Sequence, residues 1–160
     1  GFQQLKDFKA QAWESLREEA VAAETRTTDA RLFGSDISPV AVRAALANVD
    51  RAGLLQAVSL RAADILEIDA PAGHGILIAN PPYGERLSAQ DEMAAFYPQL
   101  GSALKRKFAG WNAFFLTADL RMPKLMRLNP SKKIPLFNGA IECRLFEFRM
   151  VAGSNRRPSS

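Results

Sequence analysis

Three observations predict an α/β chain with a mainly parallel sheet of the Rossmann type. Short apolar strands alternate with amphipathic helical segments. Polar residues follow predicted strand ends at Asp36, Asp64 and Asn80. An Asn138-Gly139 dipeptide between two apolar runs adds a closing antiparallel hairpin. With 160 residues the chain is long enough for one domain with a real core.

The elements follow in order. Phe8, Ala12, Leu16 and Ala20 recur at helical spacing, with Trp13 beside them, so a leading amphipathic helix is expected over 7–24. Residues 31–36 read as a short strand. Ser38 as N-cap and Pro39 at the first helical position start a helix that runs to Arg51, and Gly53 ends it. Residues 54–60 suggest a second strand, and the wholly apolar 75–79 a third. A long helix is expected over 90–108, a strand over 111–117 and a helical turn over 122–126. The hairpin strands are 134–137 and 141–150. Strands this apolar are expected to be covered on both faces. No internal repeat or linker divides the chain, and the tail 153–160 is expected to be disordered.

Composition narrows the function. No apolar run approaches the length that spans a bilayer, and the first residues lack a signal-peptide layout, so a cytoplasmic protein is expected. One cysteine, Cys143, and one histidine, His74, argue against an intrachain disulfide and a Cys/His metal site. His74 stands at the start of a strand and is given a structural or surface role. The net charge of +4 is unevenly spread: between Met93 and Lys133 there are eight lysines and arginines and a single acid, Asp119. A polyanion on one side of the molecule and a solvated basic face fit that pattern equally.

In an open α/β sheet, ligands bind beyond the carboxyl ends of the strands. Asp36 is placed to accept from a ribose diol, or simply to cap the helix behind it. Asp64 is placed to accept from an adenine amine, or is an ordinary loop aspartate. The segment Asn80-Pro81-Pro82-Tyr83 carries more information. Two prolines remove competing N–H donors and stiffen the backbone. The Asn80 side-chain oxygen and a proline carbonyl then form two fixed acceptors, which suit an –NH2 group, and Tyr83 offers a flat face to a ring. Holding both amine hydrogens favours pyramidalisation and frees the nitrogen lone pair, so no strong base is required. The alternatives are a rigid turn after a buried strand and a proline-rich peptide ligand.

On these residues the sequence resembles the S-adenosylmethionine-dependent amino-methyltransferases, which carry NPPY at a strand end. The longer stretches NPPYGERL, FGSDISPVAV, DFKAQAWESL and KKIPLFNGAIECRLFEF narrow the resemblance. They are similar to the bacterial large-subunit ribosomal RNA guanine-N2 methyltransferases with an upstream THUMP domain. The likeness runs from about Gly1 to Val151. It implies that Asp36 binds the cofactor ribose with Ile37 on the adenine, and that Asp64 meets the adenine amine with Ile65 near it. It implies that Asn80, Pro81, Pro82 and Tyr83 clamp a flipped guanine, Asn80 also lying near the cofactor. It further implies that Arg121, Lys124, Arg127, Lys132 and Lys133 contact RNA phosphates.

One departure stands out. The family has a glycine-rich loop after its first strand that cradles the methionine part of the cofactor, and no such strand and loop occur here. Residues 1–152 therefore read as an incomplete methyltransferase domain, 1–30 being a leading helix and linker and 31–152 the sheet and helices. The missing strand belongs between those ending at Asp36 and Asn80. This expectation has a consequence: the chain alone neither methylates nor binds cofactor well, and the N-terminal part of the same enzyme, with loop and THUMP domain, is its partner. Adenine-N6 or glutamine-amide methylation, and a non-catalytic RNA-binding module, are the competing functions.

Overall fold

The structure, a computed structural model, describes residues 1–24, 29–81 and 87–151, with the backbone alone for 87–91. After a 3-10 turn at Phe2–Gln4 the order is α1 (Ala10–Ala22), β1 (Leu32–Asp36), α2 (Pro39–Arg51), β2 (Val58–Ala62), β3 (Gly75–Ala79), α3 (Leu87–Lys107), β4 (Trp111–Thr117), α4 (Met122–Met126), β5 (Lys132–Asn138) and β6 (Ile141–Arg149). The expected α/β alternation and terminal hairpin are both present.

The strands form two sheets. β1 and β2 pair in parallel, Asp36 opposite Ala62. The other sheet has the order β3-β4-β6-β5. There β3 and β4 are parallel, with Ala79 opposite Phe115, and β6 is antiparallel to both β4 and β5. Among the described residues β1 and β3 do not pair with each other, so each keeps an open edge where a strand between them was expected.

Most of the core lies between α3 and one face of the larger sheet. Tyr97, Leu100, Leu104 and Phe108 of α3 and its end pack with Trp111, Ala113 and Phe115 of β4, with Phe146 and Phe148 of β6, and with Met122 and Met126 of α4. Strict alternation along β4 drives this arrangement: residues 111, 113, 115 and 117 are buried and those between are not. Gly101 lets α3 approach α4 closely, since a Cβ there would overlap the Met126 backbone carbonyl. Residues after β2 tie the smaller sheet to this body. Ile65, Leu66 and Ile68 pack on the core, Lys107 Nζ donates to the Leu66 carbonyl at 3.0 Å, and Trp111 Nε1 donates to the Ala72 carbonyl at 2.8 Å.

Three expectations need correction. The apolar strand 75–79 is not covered on both faces: Leu77 faces α3, but Ile76 and Ile78 are 65% and 76% exposed on the opposite side. The second strand starts at Val58, because Ala57 and Val58 donate their N–H groups to the Leu54 carbonyl and so spend 54–57 in a turn. The leading helix shows its amphipathic pattern without burying a residue. Its aromatic neighbour Trp13 instead meets Phe2, edge to face at 4.9 Å. The Ser38 cap is as expected, Ser38 Oγ accepting from the Ala41 N–H at 3.3 Å. The hairpin also forms, but Asn138 ends β5 opposite Ile141, so the turn is Gly139-Ala140, with Gly139 at φ of 62°.

Two stability predictions follow from this packing. Gly101→Ala should lower stability by about 1–3 kcal/mol, because the clash is with backbone that cannot rotate away, and thermal unfolding will read it. Glu147 is buried on β6; its hydrogen bond from Arg149 Nε at 3.1 Å, with Lys132 Nζ 3.6 Å away, holds its carboxyl below the usual range. Such a lowered group stabilises the fold above its unfolded pKa, and the contribution is lost as pH falls through the folded value. Glu147→Gln should therefore unfold at a lower temperature than the parent at pH 7, the difference shrinking below about pH 4.

Candidate functional site

The carboxyl ends of the parallel strands carry the polar residues. Asp36 ends β1, and Asp64 follows β2 by two residues on the neighbouring strand, so the pairing brings the two acids to one edge. The Ala63 N–H donates to the Asp36 carbonyl at 3.0 Å and fixes that junction. Each carboxylate is oriented by its own backbone. Asp36 Oδ1 accepts from the Ser38 N–H at 2.7 Å, and Asp64 Oδ1 from the Leu66 N–H at 2.9 Å. A carboxylate has about four acceptor sites. In both residues Oδ2 accepts no hydrogen bond among the described residues.

The residues beside the acids differ in exposure. Ile37 presents an apolar side chain that is 75% exposed directly after Asp36. Ile65 is half-buried against the core and fixes the Asp64 loop to the body. An oriented acceptor pair and an exposed apolar side chain fit a nucleoside, a diol and a flat ring. Among the described residues no backbone cradle for the remainder of a cofactor accompanies them. Gly73-His74-Gly75 is a Gly-x-Gly in the sequence, but it leads into β3 at its amino end, on the opposite edge of the sheet. No cluster of His, Cys, Asp and Glu that could hold a metal occurs among the described residues. Nor is any helix among them long and apolar enough to cross a membrane.

Asn80 leaves β3 at the same end and is exposed, and Pro81 after it is buried. Pro82 and Tyr83, the other half of the expected amine clamp, lie outside the described residues, as do Glu85, Arg86 and the tail 152–160.

β4 runs parallel beside β3 and contributes a group that the sequence did not nominate. Thr117 ends the strand fully buried, and its Oγ1 accepts from the Asp119 N–H at 3.0 Å. Asp119 is gripped by Arg121 through Nε to Oδ1 and Nη2 to Oδ2, both at 2.9 Å, and Oδ1 also accepts from the Arg121 N–H at 3.0 Å. The Arg121 side-chain hydrogen bonds hold the Asp119 carboxyl below its usual range. Behind them lies Tyr97, wholly buried on α3. Burial raises its pKa, and Thr117, Asp119 and Arg121 act on its hydroxyl, which makes no hydrogen bond of good geometry among the described residues. Only one sequence signal pointed here: a lone acid inside a basic segment, just past a strand end.

The basic residues divide. Arg121 is committed to Asp119, and Lys132 reaches Glu147. Lys133 is next to Lys132 on β5, and strand alternation sends the two to opposite faces. Lys124, Arg127 and Lys133 are exposed. Lys105 Nζ donates to the Arg127 carbonyl at 3.1 Å, so part of the basic segment serves the fold.

Comparison with known proteins agrees with this architecture. The family described as RMKL-like, methyltransferase domain, matches residues 2–147. A ribosomal RNA large subunit methyltransferase K/L of Shewanella sp. (strain MR-4) is 36% identical over 98% of this chain. The match spans 22% of that relative's length. Among solved structures, SMU.472, a putative methyltransferase complexed with SAH, superposes with a TM-score of 0.79 at 25% identity, covering 96% of this chain and 40% of its own. A predicted N6-adenine-specific DNA methylase from Listeria monocytogenes str. 4b F2365 gives 0.74 at 25% identity, covering 88% and 36%. The fold is therefore the Rossmann-like methyltransferase fold, and the methyl donor of the family is S-adenosylmethionine. By sequence and by fold, the chain belongs to the RMKL-like methyltransferase domain family.

Proposed function

We propose that this chain is the substrate-clamping part of an S-adenosylmethionine-dependent methyltransferase that modifies a guanine N2 amine in large-subunit ribosomal RNA in the cytoplasm. One observation carries the reading: oriented carboxylates stand at the carboxyl ends of β1 and β2, and exposed Asn80 stands at that of β3, where a parallel sheet binds its ligands. The name of the Shewanella relative supports ribosomal RNA as the substrate.

In this reading Asp36 Oδ2 accepts from the cofactor ribose and Ile37 lies on its adenine. Asp64 accepts from the adenine amine, and Ile65 keeps that loop in place. When bound, S-adenosylmethionine supplies an electrophilic methyl group. The chain's own task is to hold the nucleophile. Asn80 and Pro81 offer acceptors for the two hydrogens of a flipped base's amine, with Pro82 and Tyr83 completing the clamp. Lys124, Arg127 and Lys133 meet RNA phosphates, with Arg121 and Lys132 at the same border.

The open edges of β1 and β3, with Ile76 and Ile78 bare beside them, support a second statement. A strand and glycine-rich loop from the N-terminal part of a longer polypeptide, with its THUMP domain, complete the sheet and cradle the methionine half of the cofactor. The 160-residue chain alone should then bind cofactor weakly and transfer no methyl groups, while the longer polypeptide does both. Equal turnover by the two would overturn the divided site. Assays of the longer protein on ribosomal RNA, on DNA and on a protein acceptor test the substrate, and signal on DNA or protein alone would sink the choice of ribosomal RNA. Adenine N6 is the second reading, favoured by the fold shared with the Listeria methylase.

Two substitutions in the longer protein separate the roles. Asn80→Ala should lower kcat by about 10²–10³-fold, as loss of a preorganised polar group at a reacting centre does, and leave cofactor affinity nearly unchanged. Asp36→Ala should do the reverse. It should raise the cofactor Kd by about 10–100-fold, the worth of one hydrogen bond to a charged group, as isothermal titration calorimetry will measure.

A further inference from the structure

Beside the amine clamp stands a carboxylate whose position, support and remaining valence suit a second edge of the same base. β3 and β4 are adjacent parallel strands with Ala79 opposite Phe115, so Asn80 and the Thr117–Asp119 turn leave the sheet at one end. Neighbouring strands lie about 4.8 Å apart. A flat base held by Asn80 over β3 would therefore reach across to the end of β4.

Asp119 is built there as a rigid acceptor. Its N–H is tied to buried Thr117, and both carboxylate oxygens are pinned by Arg121. The side chain is 15% exposed, against 54% for Arg121. Of about four lone-pair sites on a carboxylate, Oδ1 uses two, for the Arg121 N–H and Nε, and Oδ2 uses one, for Nη2. One site on Oδ2 remains. A plain cap for the five-residue α4 needs a single lone pair, which the Arg121 N–H already occupies. It does not call for a carboxylate fixed on both oxygens over a fully buried threonine. A second observation lies in the layer beneath: the Tyr97 hydroxyl, 0% exposed, makes no hydrogen bond of good geometry, a polar group that a core otherwise avoids.

Guanine presents two adjacent donors on its Watson–Crick edge, N1–H and N2–H2, and the acceptor O6. Adenine presents the acceptor N1 beside its amine. An ionised carboxylate can only accept. It therefore pairs with guanine N1–H and meets adenine N1 with lone-pair repulsion, its remaining Oδ2 acceptor site left without a donor. Sites built to hydrogen-bond a group discriminate strongly against analogues that lack it. We infer that Asp119, held by Arg121 and Thr117, accepts from N1–H of the flipped base and makes this site select guanine over adenine. The inference rests on the guanine-N2 reading and deepens it, since it names the atom by which the base is recognised.

The test uses the longer enzyme with short RNA substrates under single-turnover conditions. The target guanine is compared with 2-aminopurine, which keeps the 2-amino group but has an acceptor at N1. The parent should prefer guanine by at least about tenfold, the lower bound for a hydrogen bond to a charged group. In Asp119→Asn the side chain can turn a donor toward N1, so the guanine to 2-aminopurine ratio should fall by about tenfold or more while cofactor affinity stays the same. A purely structural role would slow both substrates equally. An unchanged ratio in the variant, or equal rates on the two bases by the parent, would overturn the inference while leaving guanine-N2 methylation intact. If Asp119→Asn does not fold, equal rates on the two bases by the parent still overturn the inference, and inosine, which keeps O6 and N1–H, binding the parent as a competitor better than 2-aminopurine supports it. Methyl transfer to adenine N6 instead of guanine would overturn both this inference and the reading beneath it.

Discussion

The packing of α3 on β4 is the constraint from which the rest of the molecule takes its position. Tyr97, Leu100 and Leu104 lie against Ala113 and Phe115, and the buried face of β4 is apolar until Thr117. That contact sets where β3 and β6 can pair, since β4 lies between them. Apolar burial of this kind is the dominant favourable term in a small domain. The site is accordingly anchored to the most stable part of the chain.

The smaller sheet has no comparable anchor. β1 and β2 are covered by α2 on one side, and their link to the body is the stretch from Ile65 to Ala72, held by apolar packing, by Lys107 bonded to the Leu66 carbonyl and close to Asp69, by the Ala70 N–H on the Lys107 carbonyl and by the Trp111 bond. A parallel sheet is normally covered on both faces. Here two parallel pairs stand with open edges, and Phe33, Ile76 and Ile78 are bare. Such edges invite pairing, and parallel strands at both suggest that the complement is also a parallel strand. The open edges thus leave room for a further strand beside the half of the site that would hold a cofactor.

What could be read from the sequence was what local chemistry determines. β3, β4 and α4 were bounded to the residue, because each is an apolar or helical run with glycine, proline or a polar turn at its ends. Ser38-Pro39 acted as its backbone preference requires, whereas of Asn138-Gly139 only the glycine enters the turn, Asn138 closing the ladder opposite Ile141. Residues 54–57 misled because their leucines are as apolar as a strand's but are used in a turn. The exposed face of β3 could not be read, since apolarity reports that a residue wants cover and not that the cover is present. Within the site, Asp36, Asp64 and Asn80 were legible as polar residues at strand ends. Asp119 was not, because 39 positions separate it from Asn80 and only the pairing of β3 with β4 makes them neighbours.

Charge shows the same difference between pattern and use. Eight bases against one acid between Met93 and Lys133 fitted a polyanion-binding face and a solvated basic face equally. The fold distributes them instead. Lys105 and Lys107 fasten loops to α3, Lys132 neutralises a buried glutamate, and Arg121 is locked to the one acid of the segment. Exposed ion pairs contribute little to stability. The Arg121 pair, with its carboxylate 15% exposed and gripped on both oxygens, is different in kind: it fixes a charge in one orientation at the end of β4. A free lysine can follow a phosphate wherever it lies, but a carboxylate held at three points can accept only from a donor that comes to it. That rigidity is what a site requires when it must tell one base from another by the presence of a single hydrogen.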